Sequence, residues 1–302
     1  MYYSVTVKLM KLRPLCIQCI INVRFREILN AVNDEEKTIK IQIELLRTAY
    51  EVFRDEQELT KVATRIFSWL VEALPEVKQY YTRVKRDEII RAKKIVSKYR
   101  EFLQDFSGYE QFRIAAKISI AGNLLDTGVR GYEPPREILI EHILSTPITI
   151  DHTRQVYTIL SKGGKNILWL FDNAGEAILD TVIIDLLRRY GNKVIGVAKE
   201  EPGFQNDLTI SDAEYAGLNE YVDKIISTGC NEASIHLESV SEEFKQVLKD
   251  SDIIVAKGMA HFEYLSTLDL NKPVLFLLVP KCQTLSNILG LPRGTYVALY
   301  RS

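Results

Sequence analysis

The residues able to do chemistry in this chain collect where apolar runs stop. The stretch ILWLFDNAGEAILD, Ile167 to Asp180, breaks off on Asp172 and Asn173, then carries Glu176 and Asp180. KEEPGFQNDLT places Asn206 and Asp207 in a loop behind another apolar run. DIIVAKG ends on Lys257 and Gly258, and PVLFLLVPK ends on Lys281. Asp172, Asn173 and Asp207 offer hard oxygen donors, which suit Mg²⁺ or Mn²⁺ better than a thiol-rich zinc site would. A bound divalent ion polarises a phosphoryl oxygen and activates water. Lys257 and Lys281 can neutralise phosphate charge, and the DNAG turn opens a helix whose N-terminal amides attract anions. Positioning plus charge stabilisation is what phosphoryl transfer requires. Each residue also has a plainer reading: a helix N-cap for Asp172, a turn residue for Asn173, an Asx turn for Asp207. Their joint placement favours the chemical one.

Such residues meet only if strand ends gather them. The second half supplies the strands as short apolar runs: NILWLFD, KVIGVAK, KIISTG, DIIVAKG, PVLFLLVPK and TYVALYR. Their lengths suit strands buried on both faces of a parallel sheet. ILDTVIIDLLRRYG is a crossover helix stopped by Gly191, and SEEFKQVLKDS is another. The alternation predicts a doubly wound α/β layer, in which ligands sit beyond the carboxyl ends of the strands.

The first half has helical periodicity. Ile39, Ile43, Leu46, Tyr50 and Phe53 recur at helical spacing, as do Val62, Ile66, Trp69 and Leu70, then Ile89, Ile90, Ile95, Tyr99 and Leu103. From Pro14 to Asp126 the only glycines are Gly108 and Gly122, which fits a bundle of long helices. The expected division is a helical domain over 10–150 and an α/β domain over 151–302. Met10-Lys-Leu-Arg-Pro reads as a true start, which makes residues 1–9 an unstructured extension.

The 302 residues are 46% hydrophobic and 26% charged, with a net charge of −1. That composition carries ample core and no nucleic-acid or polybasic membrane signature. Lys8, Lys11, Arg13 and Arg24 interrupt the N-terminal apolar stretches, and no run reaches transmembrane length. The four cysteines, Cys16, Cys19, Cys230 and Cys282, are too scattered for a disulfide framework. A cytoplasmic protein is expected.

AGNLLD (121–126), DNAGE (172–176), NDLTISDA (206–213) and KG…FE (257–263), in that order, closely resemble the metal-dependent damage-control phosphatases. Cys16-x-x-Cys19 resembles their prokaryotic branch. The resemblance implies a helical N-terminal domain on a Rossmann-like α/β/α sandwich with a mostly parallel sheet. It implies one divalent metal ion, Mn²⁺, Ni²⁺, Co²⁺ or Mg²⁺, held by Asp172, Asn173 and Asp207. It implies hydrolysis of small phosphorylated metabolites, such as sugar phosphates and damaged or side-product phosphometabolites. Asp172, Asp207 and Lys257 are then the catalytic candidates. Asn123, Asp126, Glu176, Lys257, Gly258 and Lys281 are the substrate-binding ones. One segment departs from the pattern: Lys257-Gly258 is followed by MAHFE, where relatives usually carry Gln, Gly and Asn before Phe-Glu, in an expected loop near substrate.

Other residues carry less. Asn123 either roofs the pocket from the helical half, with Asp126 beside it, or forms a helix C-terminal turn. Cys16 and Cys19 lack the partners of a zinc site and read as small apolar residues on a buried helix face. The histidines show no paired spacing, and His261 reads as a loop side chain. Asp180, about two turns into the crossover helix, is placed to support the site or pair with a cation. A binding protein without turnover is the main rival reading. An S-adenosylmethionine-dependent carboxyl methyltransferase is a second, disfavoured by the lack of a Gly-rich loop after the first strand.

Overall fold

A computed structural model describes residues 10–125 and 139–302. Asp126 and the expected extension over residues 1–9 lie outside the described residues. The chain begins with helices α1 (Pro14–Ala31), α2 (Glu35–Asp55), α3 (Leu59–Ala73), α4 (Glu76–Leu103), α5 (Gly108–Gly122) and α6 (Ile140–Ser145). The alternating part follows: β1 (Ile148–Asp151), α7 (Thr153–Leu160), β2 (Asn166–Leu170), α8 (Ala174–Arg189), β3 (Lys193–Ala198) and α9 (Ile210–Ala216). It continues through β4 (Lys224–Ser227), α10 (Glu242–Asp250), β5 (Ile253–Lys257), α11 (Gly258–Leu265), β6 (Val274–Leu278), α12 (Gln283–Leu289) and β7 (Tyr296–Arg301).

Local chemistry sets many of the boundaries. Pro14 opens α1, where its missing N–H costs nothing. Asp34 accepts from Lys37 N to cap α2, and Glu58 accepts from Thr60 N and Lys61 N to cap α3. Thr209 and Asp212 form a reciprocal capping box on α9.

The sheet order is β1-β7-β6-β5-β2-β3-β4. The neighbours from β6 to β4 are parallel, β7 runs antiparallel to β6, and β1 is parallel to β7. Every expected strand forms. The strand β1 was not expected, because ITID is a short edge strand without an apolar run.

Side chains alternate between the two sheet faces, and each face has its own core. Ile167, Trp169, Val255 and Leu277 pack with α8 and with Ile89, Tyr99, Phe112 and Ile118 of α4 and α5. Leu168, Leu170, Ile254 and Phe276 pack with Ile28, Leu45, Ile66 and Leu70 of α1–α3. The helical and α/β parts therefore share both cores. Each fully buried Leu or Ile contributes about 1.5–3 kcal/mol of transfer free energy, so these shared cores outweigh any helix-internal term.

The apolar spacing read along α2 does not mark its buried face. Ile39, Ile43, Leu46 and Tyr50 are exposed, at 51%, 49%, 48% and 67%. The buried stripe is Thr38, Ile41, Leu45, Ala49 and Val52. The helix carries two apolar stripes at helical spacing, and periodicity alone cannot choose between them.

Candidate active site at the sheet switch point

From β2 the chain moves outward to β3 and β4, then returns to the opposite side of β2 as β5. The carboxyl ends of β2 and β5 thus frame the crevice where open α/β sheets bind ligands. Asp172 and Asn173 follow β2, while Lys257 ends β5 and Gly258 starts α11. The loops after β2 and β3 are pinned together. Asn173 and Asp207 form an isolated antiparallel bridge, Leu208 N donates to Asp172 O at 2.8 Å, and Ala174 N donates to Asn206 O at 3.0 Å. Asp172, Asn173 and Asp207 consequently line one cavity of about 310 Å³, a size suited to small molecules.

The plainer reading of Asp172 fails on geometry. Asn173, not Asp172, occupies the N-cap of α8, and its side chain makes no capping bond. Asn173 Nδ2 instead donates to Asp172 Oδ2 at 3.0 Å and to Glu176 Oε2 at 3.2 Å. Asn123 Nδ2 donates to the same two oxygens, at 3.1 Å and 2.9 Å, while its Oδ1 accepts from Val279 N at 3.1 Å. Asn123 is the C-cap of α5, so the turn reading is correct as well. Its side chain nonetheless ties the helical part to the ends of β2 and β6. Gly122 makes this approach possible, since a Cβ there would stand 3.1 Å from Glu176 Cγ. Gly258 is tighter still. At φ +76° it lies against Asp172, and a Cβ would fall 1.8 Å from Oδ2.

Behind the carboxylates lies a fully buried ion cluster. Lys257 Nζ is 3.0 Å from both Glu176 Oε1 and Asp180 Oδ1, and donates to Ser119 O and Oγ at 2.8 Å. Ser119 Oγ and Trp169 Nε1 donate to Asp180 at 2.6 Å and 3.3 Å. Burial works against the Lys257 charge, but Asp180 and Glu176 outweigh it and raise its pKa. Two buried carboxylates share this one ammonium. Burial, aided by Glu176 and opposed by Lys257, pushes Asp180 up to about 6.

Lys257 and Asn123 are wholly buried and neither lines the cavity. The expectation that Lys257 touches phosphate directly meets a side chain drawn away from the cavity by two carboxylates. Glu176 and Gly258 likewise sit behind the cavity wall. Lys281 is buried just past β6, and its N–H contacts Met259 Sδ at 3.4 Å. The segment GMAHFEYL is the helix α11, not a loop. Ala260 faces the cavity, whereas His261 is pinned inward by Phe171 O at 3.1 Å and Ser234 Oγ at 3.2 Å. Burial and the nearby Lys199 lower its pKa to about 3, so its ring is neutral.

Sequence reasoning missed much of the remaining wall. Cys16 and Cys19 of α1 line the cavity with Cys282, Arg24, Thr60 and Phe204. A signal for Arg24 existed: Ile20, Val23, Arg24, Glu27 and Ile28 form one buried stripe of α1, into which two charges intrude. Lys199, at the end of β3, stands 3.9 Å from Asp207 Oδ2 and donates to the carbonyls of Glu232 and Ser234.

The donor set can be weighed against a cation. Among the described residues no three or more His, Cys, Asp or Glu cluster as metal ligands, so an ion here would rely on two carboxylates and the Asn173 amide. Oxygen-only donors beside a glycine cradle suit a hard divalent ion that keeps part of its water. Asn173 spends its amide nitrogen on Asp172 and Glu176, which leaves its oxygen as the donor for a cation.

Residues 12–297 match the damage-control phosphatase ARMT1-like domain. An uncharacterized protein of Methanocaldococcus jannaschii is 31% identical over 297 residues, covering 96% of each chain. A protein of Archaeoglobus fulgidus named damage-control phosphatase is 30% identical over 292 residues, covering 96% of this chain and 99% of its own. The crystal structure of a DUF89 family protein from Pyrococcus horikoshii superposes with a TM-score of 0.82 at 26% identity, over 97% of this chain and 99% of that one. The match over nearly the whole chain, together with the shared fold, means that this protein belongs to the damage-control phosphatase ARMT1-like family.

Proposed function

We propose that this protein is a metal-dependent phosphatase acting on small phosphorylated metabolites. The observation that carries this reading is the convergence of Asp172, Asn173 and Asp207 on a small cavity at the switch point of the sheet. Membership of a family with relatives named damage-control phosphatases supports it.

In this reading Asp172, Asn173 and Asp207 hold one divalent cation, Mg²⁺, Mn²⁺, Co²⁺ or Ni²⁺. Such an ion, when bound, offsets phosphoryl charge and activates water. The protein's own groups do the positioning. The Asn123 and Asn173 amides orient Asp172 and tie it to Glu176. Lys257 acts at one remove, since its charge lets Glu176 and Asp180 be buried together. Lys281, buried just past β6 and outside the cavity lining, adds positive charge from behind the wall. Apolar walls around the cavity limit water near the phosphoryl group.

The test is a panel of phosphorylated sugars and cofactor precursors, assayed with each of the four metals. Turnover of at least one compound is expected, and Asp172→Asn should remove most of it without changing the thermal melt. Tight binding with no turnover under any metal would favour a binding protein instead.

A further inference from the structure

One wall of the cavity carries a cation with unused hydrogen-bonding capacity. Arg24 of α1 is 3% exposed and lines the same cavity as Asp172, Asn173 and Asp207. Its Nη2 donates to Glu27 Oε1 at 2.7 Å. Its Nε and Nη1 are buried and, among the described residues, have no hydrogen-bond partner. The guanidinium is fixed in place rather than loose. It lies 4.7 Å from the centre of the Phe67 ring and 5.8 Å from that of Phe204. Glu27, which anchors it, is itself held by the Tyr81 hydroxyl at 2.5 Å and by Gln205 Nε2 at 2.9 Å. Glu27 Oε2 also lacks a partner, but Glu27 does not line the cavity. Of this buried pair, only the arginine belongs to the cavity wall.

A guanidinium stays charged and offers five N–H donors in a rigid plane. Leaving two of its nitrogens dry is strongly unfavourable, because buried donors are normally satisfied. Arginine prefers the oxygens of carboxylate and phosphate. The placement is also informative. Phe204 and Asp207 share one turn, closed by Asp207 N donating to Phe204 O at 3.0 Å. Arg24 and Asp207 therefore reach one cavity wall from different elements, with Arg24 on α1 and Asp207 in the loop after β3. The same cavity wall carries the apolar residues Ile20, Val23, Ala63, Phe204 and Ala233.

We propose that the substrate carries two anionic groups. One is the phosphate that is removed. The other is a carboxylate or second phosphate, bound by Arg24 and joined to the first by a largely apolar spacer. This rests on the phosphatase reading for which group leaves, but not for what Arg24 binds.

The experiment uses the full chain with Mn²⁺ and a series of alkyl phosphates of about three to eight carbons, sizes that a cavity of this volume can hold. Each length is tested plain, with a terminal carboxylate and with a terminal phosphate, which separates the two anion types. At one or two lengths an anionic tail should lower KM by at least about tenfold relative to the plain compound. Arg24→Gln should erase that preference, and Arg24→Lys should keep only part of it. Calorimetry with the matching alkyl phosphonates, which cannot be hydrolysed, gives the same comparison without turnover. Should Arg24→Gln fail to fold with Glu27 uncompensated, the Arg24→Gln/Glu27→Gln pair removes both charges and serves instead. No tail preference at any length, or one that survives loss of Arg24, overturns the proposal. Phosphonate binding that depends on Arg24, with no hydrolysis of any phosphate, would uphold the anion subsite and sink the phosphatase reading alone.

Discussion

Replacing Gly258 with alanine would put a methyl group 1.8 Å from Asp172 Oδ2. Ordinary contact begins at 3.4 Å, so the carboxylate must retreat by about 1.6 Å or the start of α11 must give way. Retreat breaks the bonds of 3.1 Å and 3.0 Å from Asn123 and Asn173 that orient it. A misplacement of about 1 Å at a reacting centre costs on the order of 100-fold in rate. Gly258→Ala should therefore lower kcat/KM by about 100-fold or more. The backbone adds a separate cost, because φ at Gly258 is +76° and a left-handed alanine loses roughly 1–2 kcal/mol of stability. Gly290→Ala separates the two effects. Gly290 has φ +67° but nothing within 4 Å of an added Cβ, so it carries the backbone cost without the clash. The assay is phosphatase kcat/KM with Mn²⁺, calorimetric Mn²⁺ affinity and urea unfolding, on both variants. Gly258→Ala should lose activity and Mn²⁺ affinity, while Gly290→Ala loses only stability. Activity of Gly258→Ala within about threefold of wild type would refute the cradle argument, as would an equal loss in Gly290→Ala.

Lys257→Met should destabilise the fold by about 3–5 kcal/mol in urea unfolding, because it leaves Glu176 and Asp180 buried without their shared ammonium. An unchanged midpoint would contradict that role. Glu263, on the cavity wall, gives a pH prediction. Burial and the neighbouring Glu58 push its carboxyl up to about 8. The folded state then holds a proton that the unfolded state gives up near pH 4.5, so stability falls as pH rises through that window toward 8. Glu263→Gln should match wild type near pH 5 and be the more stable near pH 9, an effect moderated by cavity water reaching the side chain. A gap that opens toward acid instead would reverse the sign and defeat the argument.

The strands, and the meeting of Asp172, Asn173 and Asp207 at one cavity, were legible because apolar runs stop abruptly on polar residues. Asp172-Asn173 and Lys257-Gly258 stand out from the sequences leading into them. What the sequence could not supply was direction. Lys257 and Asp172 both sit at strand ends, yet one side chain turns toward buried carboxylates and the other lines the cavity. The α2 stripe fails for a related reason, since both of its faces are apolar and only tertiary packing selects one. Arg24 showed in the sequence only as a charge within an apolar stripe, because its place beside Phe204 on the cavity wall is set by the fold. The cysteines of α1 reach the cavity in the same way, at its wall beside Cys282.

Sharing both cores between the helical and α/β parts has a consequence for how the chain is made. Helices α1 to α5 leave the ribosome first, before the sheet that covers their apolar faces exists. Their partners, among them Leu168, Trp169, Val255 and Phe276, arrive more than a hundred residues after α1. Contacts at such separation form slowly, and apolar surface stays open meanwhile. Asn123 is an extreme instance: its acceptors at Asp172 and Glu176 follow it by about fifty residues, and its donor Val279 lies 156 residues on. The pocket wall is completed only when the chain has passed β6 and reached Cys282, Thr284 and Arg293. A nascent chain cannot acquire activity in stages, and a helical half released early exposes the surfaces that holdase chaperones bind.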